Sequence, residues 1–280
     1  MTSADSPRTA VVLIAHGTVA SLEDLPQFLT NIRRGHAPPP ELITEVRRRY
    51  EAIGGRSPLL DITHDLARKL EAKLALPTRV AMRLFDPYPK EVVSELAAEG
   101  IQRIVTVPLA QHSAPIYGVS VLAAAKAIDP SIEVLCAPNW GRTPELTKAF
   151  ADSIVASLET VPPGQGKDTV LLLTAHSLPV AIVKAGDPYE TELRASAEDI
   201  AAAVRARLPD AFSEHIVAFQ SQGIGTGVEW LGPDLEATFK DLAQRGKKHV
   251  VIAPIGFLAD HVEILYDLDI EAKALSLIHI

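Results

Sequence analysis

The sequence predicts an α/β fold of two similar lobes, each a parallel sheet flanked by helices. Three observations carry that expectation. Short apolar runs alternate with helically periodic segments, the runs are too continuously apolar for a sheet with one wet face, and the order of motifs in the first half returns in the second.

Runs rich in Val, Ile and Leu occupy 11–15 (VVLIA), 79–84 (RVAMRL), 103–109 (RIVTVPL), 132–137 (IEVLCA), 169–174 (TVLLLT), 215–219 (HIVAF) and 249–255 (HVVIAPI). All have the length of a strand rather than a helix, so they read as buried parallel strands. The segments 58–75, 89–99, 189–208 and 233–245 carry apolar residues three or four apart with charges between them, the spacing of an amphipathic helix. The repeat is visible in two places. VVLIAHG at 11–17 corresponds to VLLLTAHS at 170–177, and IVTVPLAQH at 104–112 resembles VVIAPIGFLADH at 250–261. The stretch TVPPGQGKD at 160–168 is dense in Pro and Gly, which sets the predicted boundary between lobes 1–160 and 161–280. Each lobe is Rossmann-like. Ligands of open α/β sheets bind beyond the carboxyl ends of the strands, so a cleft between the lobes is the expected active site. His16, His112, His176 and His261 all follow strands at that edge.

Composition narrows the function. The 27 Lys and Arg against 35 Asp and Glu give a formal charge of −8, which repels a phosphate backbone and argues against nucleic acid as a partner. Apolar residues at 47% and charged residues at 22% are ordinary for a cytosolic α/β protein. No apolar run reaches the roughly 20 residues of a spanning helix, and MTSADSPRTA lacks the basic start and apolar middle of a signal peptide. A cytoplasmic protein is expected. The single cysteine, Cys136, allows no internal disulfide and no iron–sulfur cluster, so a metal would fall to His and carboxylates.

The richest segment for chemistry is PIGFLADHVEILYDLDIEA at 254–272. As a helix beginning near Asp260 it would stack Asp260, Glu263, Asp267 and Glu271 on one face. A solvated acidic face explains such a row equally well. Phe257, Leu258, Val262, Ile264 and Leu265 crowd around it and argue for a partly buried helix, whose carboxylates would attract a divalent cation or accept protons. His176 ends an apolar run in TAHSLP, and an imidazole there can take a proton near neutral pH or bind a transition metal. With Glu263 it would offer one nitrogen and one oxygen ligand.

Toward the amino end, NIRRG at 31–35 and RRRYEAIGGRSPL at 47–59 place Arg33, Arg34, Arg47, Arg48, Arg49 and Arg56 beside a Gly pair and Ser57, in an expected loop-rich region. Guanidinium forks suit carboxylates, although surface arginine for solubility is the commoner reason for such a cluster. QSQGIGTGVEWLGPD at 220–234 alternates Gly223, Gly225 and Gly227 but lacks the Lys-Ser/Thr of a phosphate loop, so a flexible loop anchoring Trp230 is expected.

Taken in order, IRRG, RYEAIGGRSPL, TAHSLP, GDPY at 186–189, FQS at 219–221 with WLGPD at 230–234, and the acidic segment cover nearly the whole chain. The chain resembles the ferrochelatases, which insert Fe2+ into a porphyrin in haem synthesis, and among them the bacterial coproporphyrin III enzymes. The resemblance implies that His176 and Glu263 are the catalytic pair and contact the metal, with Asp267 and Glu271 as an acidic ladder behind them. It implies porphyrin contacts at His16, Thr18, Arg33, Arg49, Tyr50 and Ser57, with a lean to coproporphyrin III over protoporphyrin IX. It further implies a lyase forming a nitrogen–metal bond; two inner N–H protons must leave as the metal enters, and a monomer with no cofactor beyond the substrate Fe2+ is expected.

Three alternatives stay open at this point: a sirohydrochlorin or cobalt chelatase, a non-catalytic haem or metal carrier, and a two-lobed binding protein with structural histidines. Three departures from the family pattern stand out. His16 replaces a frequent Tyr, and HSAPIYGVSVL at 112–122 has Tyr117 but no aromatic at the usual contact position. The segment after Glu271 is short where the family continues through a strand and a helix, and ALSLIHI reads as a truncation or a foreign tail that would leave a sheet edge open.

Overall fold

The computed structural model describes residues 7–278 apart from 224–226. The chain divides into two compact units, one running through Asn139 and including Ala259–Val262, the other comprising Trp140–Leu258 and Glu263 onward.

The first unit is built on β1 (Thr9–Ala15). After it come α1 (Leu25–Ile32), α2 (Pro40–Ala52), α3 (Leu59–Leu74), β2 (Thr78–Met82), α4 (Pro89–Ala98), β3 (Arg103–Pro108), α5 (Ala114–Ile128) and β4 (Glu133–Cys136). Helices α1, α2, α4 and α5 all open with Pro in the first turn, where its missing N–H costs no hydrogen bond. The strands are parallel in the order β2-β1-β3-β4. The uninterrupted apolar run of β1 has a direct cause, because both faces of the strand are covered. Val12 and Ile14 pack with Val93 and Leu96 of α4 and Val121 of α5, while Val11 and Leu13 pack with Leu59 and Ala67 of α3.

Two expectations change in this unit. The 132–137 run forms β4, but as an edge strand it is mostly exposed rather than buried, because no further strand covers its far side among the described residues. The arginine-rich region expected as loop is largely helix, with Arg47, Arg48 and Arg49 in the interior of α2.

The second unit contains α6 (Pro144–Leu158), β5 (Thr169–His176), α7 (Val180–Lys184), α8 (Tyr189–Arg207), β6 (Glu214–Gln220), α9 (Leu235–Gln244), β7 (His249–Ala253), α10 (Val262–Leu265) and α11 (Lys273–Ile278). A π-helical turn over Asp267–Ala272 lies between the last two. Its parallel sheet has the order β6-β5-β7. Leu171, Leu173 and Ala175 of β5 pack against α6 and α8, and Leu172 packs against Leu235 and Phe239 of α9 together with Ile264 and Leu268.

The unit boundary falls after Asn139, not at 160. Ala151, Ile154, Val155 and Leu158 of α6 belong to the same buried cluster as α8, so the Pro- and Gly-rich 160–168 stretch is a connection inside the second unit. Among the described residues β7 pairs only with β5. A groove of about 570 Å³ runs past its other side, lined by Leu242, Lys248, Val250, Leu268 and Leu275 among others. Of the ALSLIHI segment, His279 and Ile280 lie outside the described residues, and Leu275 packs on the α9 cluster.

The acidic segment also differs from the continuous helix expected from Asp260. Asp260 and His261 precede α10 and belong to the first unit. Beyond α10, the N–H groups of Ile270 and Glu271 both point to the carbonyl of Tyr266, at 3.2 and 3.0 Å, which widens the helix by one residue per turn. No helix among the described residues is long and apolar enough to cross a membrane.

Candidate active site

His176 is the last residue of β5, level with Gln220 on β6. Its backbone is fixed from two directions. The Tyr189 hydroxyl donates to the His176 carbonyl at 2.9 Å, and the Ser177 N–H donates to the Gln220 carbonyl at 2.7 Å. Past the strand, the buried Ser177 hydroxyl donates to the Leu231 carbonyl at 2.9 Å. The Leu231 N–H donates to the Leu178 carbonyl and the Val180 N–H to the Glu229 carbonyl, both at 2.9 Å. HSLP and WLGPD therefore clasp each other antiparallel, with Pro179 facing Trp230.

The imidazole is oriented by its own neighbour. Nδ1 lies in close contact with the Ser177 carbonyl, which can only accept, so Nδ1 carries the hydrogen. Nε2 is left to face Glu263, whose Oε1 is 3.6 Å away. Both side chains are partly open, at 37% and 29% exposure. At this separation the two do not share a direct hydrogen bond, but a proton arriving on Nε2 would be stabilised by the carboxylate beside it.

The carboxylates behind Glu263 are held from β6. Gln220 is buried, and its side-chain amide donates to the Glu263 carbonyl at 2.5 Å. Its Oε1 has no hydrogen-bond partner, an arrangement costing about 1–3 kcal/mol. Ser221 follows with φ at 58°, in the left-handed region, and its hydroxyl donates to Oδ2 of the buried Asp267. Glu271, at the far end of the π-helical turn, is exposed. The row thus runs from partly open Glu263 through buried Asp267 to solvent at Glu271. Among the described residues no group of three or more His, Cys, Asp or Glu side chains is arranged to hold a metal ion. The expected metal contacts His176, Glu263, Asp267 and Glu271 therefore form a close pair followed by a spaced row, not one ligand cage.

In the first unit, His16 directly follows β1, as His176 directly ends β5, and its Nδ1 lies 3.4 Å from the Gly17 carbonyl. The ring stands edge-on to Phe28. Thr18 and Tyr50 join hydroxyl to hydroxyl at 3.0 Å, and Tyr50 packs with Val19, Leu25 and Phe28, so both are interior residues rather than an exposed wall. Ser57 is buried too, and its hydroxyl accepts the Leu59 N–H at 3.3 Å where α3 begins.

Arg49 donates to Glu45 at 2.8 Å. Hydrogen bonds from Arg48, opposed by partial burial and reinforced by Arg49, hold the Glu45 carboxyl down at about 2. Arg33 sits exposed at the end of α1, and its guanidinium makes no ion pair among the described residues. His112 is a strand-end histidine turned inward: it is 3% exposed, and burial pushes it down to about 4, so it is neutral. Tyr117 packs on the first unit's core beneath Arg83. In the glycine loop Gly225 lies outside the described residues, while Gly223 lies so close to Trp230 that an added Cβ would meet the ring at 2.7 Å.

Sequence reasoning named the FQS and GDPY motifs without giving Gln220, Ser221 or Tyr189 a role. Their signal was present only as polar residues placed where an apolar strand or the first turn of a helix would not need them.

The ferrochelatase family model matches residues 8–278. The chain is 36% identical to a ferrochelatase of Herpetosiphon aurantiacus, over 96% of this chain and 89% of that one. It is 35% identical to the coproporphyrin III ferrochelatase of Geobacillus kaustophilus, over 96% of this chain and 87% of that one. In fold it is similar to SirB from Bacillus subtilis, solved with Fe3+, with a TM-score of 0.55 at 16% identity, covering 96% of this chain and 84% of that one. With the family's motifs running in order through two parallel sheets, and relatives matched over most of their length, this chain belongs to the ferrochelatases, enzymes that insert Fe2+ into a porphyrin.

Proposed function

We propose that the chain loads Fe2+ into coproporphyrin III in preference to protoporphyrin IX, with His176 as the base that takes the protons displaced by the metal. The observation that carries this reading is the orientation of His176, whose Nδ1–H is committed to the Ser177 carbonyl while Nε2 faces Glu263 at 3.6 Å.

A free porphyrin holds two inner N–H protons, and both must leave as iron–nitrogen bonds form. Fe2+ enters with two positive charges and two protons depart, so charge balances only if something removes the protons. Nε2 of His176 has the lone pair for that step, and Glu263 stabilises the imidazolium and passes the proton on. Asp267 and Glu271 then lead toward solvent, and the same row can deliver the cation. No cofactor beyond the substrate Fe2+ enters this reading. Its place of work is the cytoplasm, in keeping with a single cysteine and an ordinary cytosolic composition.

Support for coproporphyrin III comes from the relative of that name and from Arg33, an exposed guanidinium suited to a propionate. His16 and Arg49, both partly open, are the other accessible candidates of the first unit for contact with the macrocycle. Anaerobic assays with Fe2+ and each porphyrin test the preference. The expected result is a higher kcat/KM with coproporphyrin III and release of two protons per metal inserted. Faster turnover of protoporphyrin IX would overturn the substrate assignment.

A further inference from the structure

Gln220 and Ser221 carry no proton in the scheme above, yet they connect its parts. Gln220 is level with His176 across the β5–β6 ladder, and its backbone carbonyl receives the Ser177 N–H at 2.7 Å. Its side chain crosses in the other direction and donates to the Glu263 carbonyl at 2.5 Å. One residue thus touches the strand end that carries the imidazole and the first turn of the helix that carries the carboxylate. Ser221 does the same for the next carboxylate, donating from its hydroxyl to Asp267.

Two features would be unexplained if these contacts were only packing. Ser221 is not a glycine, yet it holds φ at 58°, a backbone region that disfavours a side chain. Gln220 keeps a buried Oε1 without a partner, where an apolar side chain of similar size would leave no such atom. Both are features that a purely structural position would be expected to lose, and both place a donor hydrogen on the acidic helix.

We infer that Gln220 and Ser221 are positioning residues for the metal-insertion reaction: Gln220 fixes the separation of His176 and Glu263, and Ser221 fixes the direction of Asp267. This rests on the function proposed above for its effect on turnover, but not for its geometry.

Gln220→Leu keeps the volume and removes the unpartnered oxygen together with the donor, so the fold should survive, as a melting curve will show. Its crystal structure should show Glu263 withdrawn from His176 beyond the about 4 Å of an ion pair. A retained 3.6 Å separation would overturn the inference whatever the enzyme does. In turnover, Gln220→Leu and Ser221→Ala should each lower kcat about 10- to 100-fold, while KM for the porphyrin stays within about twofold. Ser221→Gly should lose as much as Ser221→Ala, because relief of the left-handed backbone does not restore a hydroxyl. Wild-type kcat in Ser221→Gly, or a porphyrin KM that rises in step with the fall in kcat, would overturn the positioning role. A wild-type protein unable to load iron would instead sink the proposed function and leave the crystal geometry to decide this point.

Discussion

His112 and His176 show how little a strand-end position says about a histidine. Both come at the carboxyl end of an apolar strand run, yet His176 is partly open beside Glu263 while His112 is buried and held neutral, with burial pushing it from 6.5 to about 4. The sequence could name both but could not separate them, because burial of a ring is set by tertiary packing and not by the strand run that precedes it. The depressed value has a consequence for stability. The unfolded chain takes up this proton first as pH falls, so the folded state loses stability below 6.5 and continues to lose it down to about 4. Between about pH 7 and about pH 5 the His112 contribution should fall by about 2 kcal/mol. Urea midpoints for wild type and His112→Leu at both values check this: the variant should lose less on acidification, and equal losses would contradict the reading. Thr18 and Tyr50 teach a similar lesson. The resemblance implies that both contact the porphyrin, and in the structure their hydroxyls lie 3.0 Å apart in the interior, a burial that their sequence context does not announce.

At the scale of elements, all seven strands among the described residues were legible, because continuous Val, Ile and Leu runs of strand length have few other physical explanations. The coverage of β4 was not legible, since its exposure depends on its place at the sheet edge and not on its own residues. The acidic helix was legible as a row of carboxylates but not as a π-helical turn, which leaves no composition signal. The turn preceding it is just as specific. Gly256 donates its N–H to the Thr174 carbonyl at 3.0 Å, and an added Cβ would lie 2.4 Å from the Cβ of Ala175, one residue before His176. Gly256→Ala should therefore cost about 1–3 kcal/mol of stability and lower turnover by displacing the end of β5. Denaturant midpoints and kcat measured together test it, and a variant unchanged in both would show that the strand end yields freely.

For the whole molecule, the internal repeat announced two units, and two parallel sheets are present. The boundary was misplaced because Pro and Gly mark a turn in the chain, not the edge of a core. α6 precedes that turn but buries Ile154, Val155 and Leu158 with α8. At about 1.5–3 kcal/mol for each such side chain, losing α6 would remove an amount comparable to the about 5–15 kcal/mol net stability of a domain. A chain starting at Trp140 should unfold cooperatively in urea, and one starting at Val161 should not; equal cooperativity would show that α6 is dispensable. The central claim is that the His176–Glu263 pair performs metal insertion. It is tested most directly by anaerobic Fe2+ insertion into coproporphyrin III, comparing wild type with His176→Ala while porphyrin binding is followed by fluorescence. A loss of about 10²- to 10⁴-fold in kcat with binding retained is the predicted result, and a His176→Ala variant that turns over at the wild-type rate would contradict it.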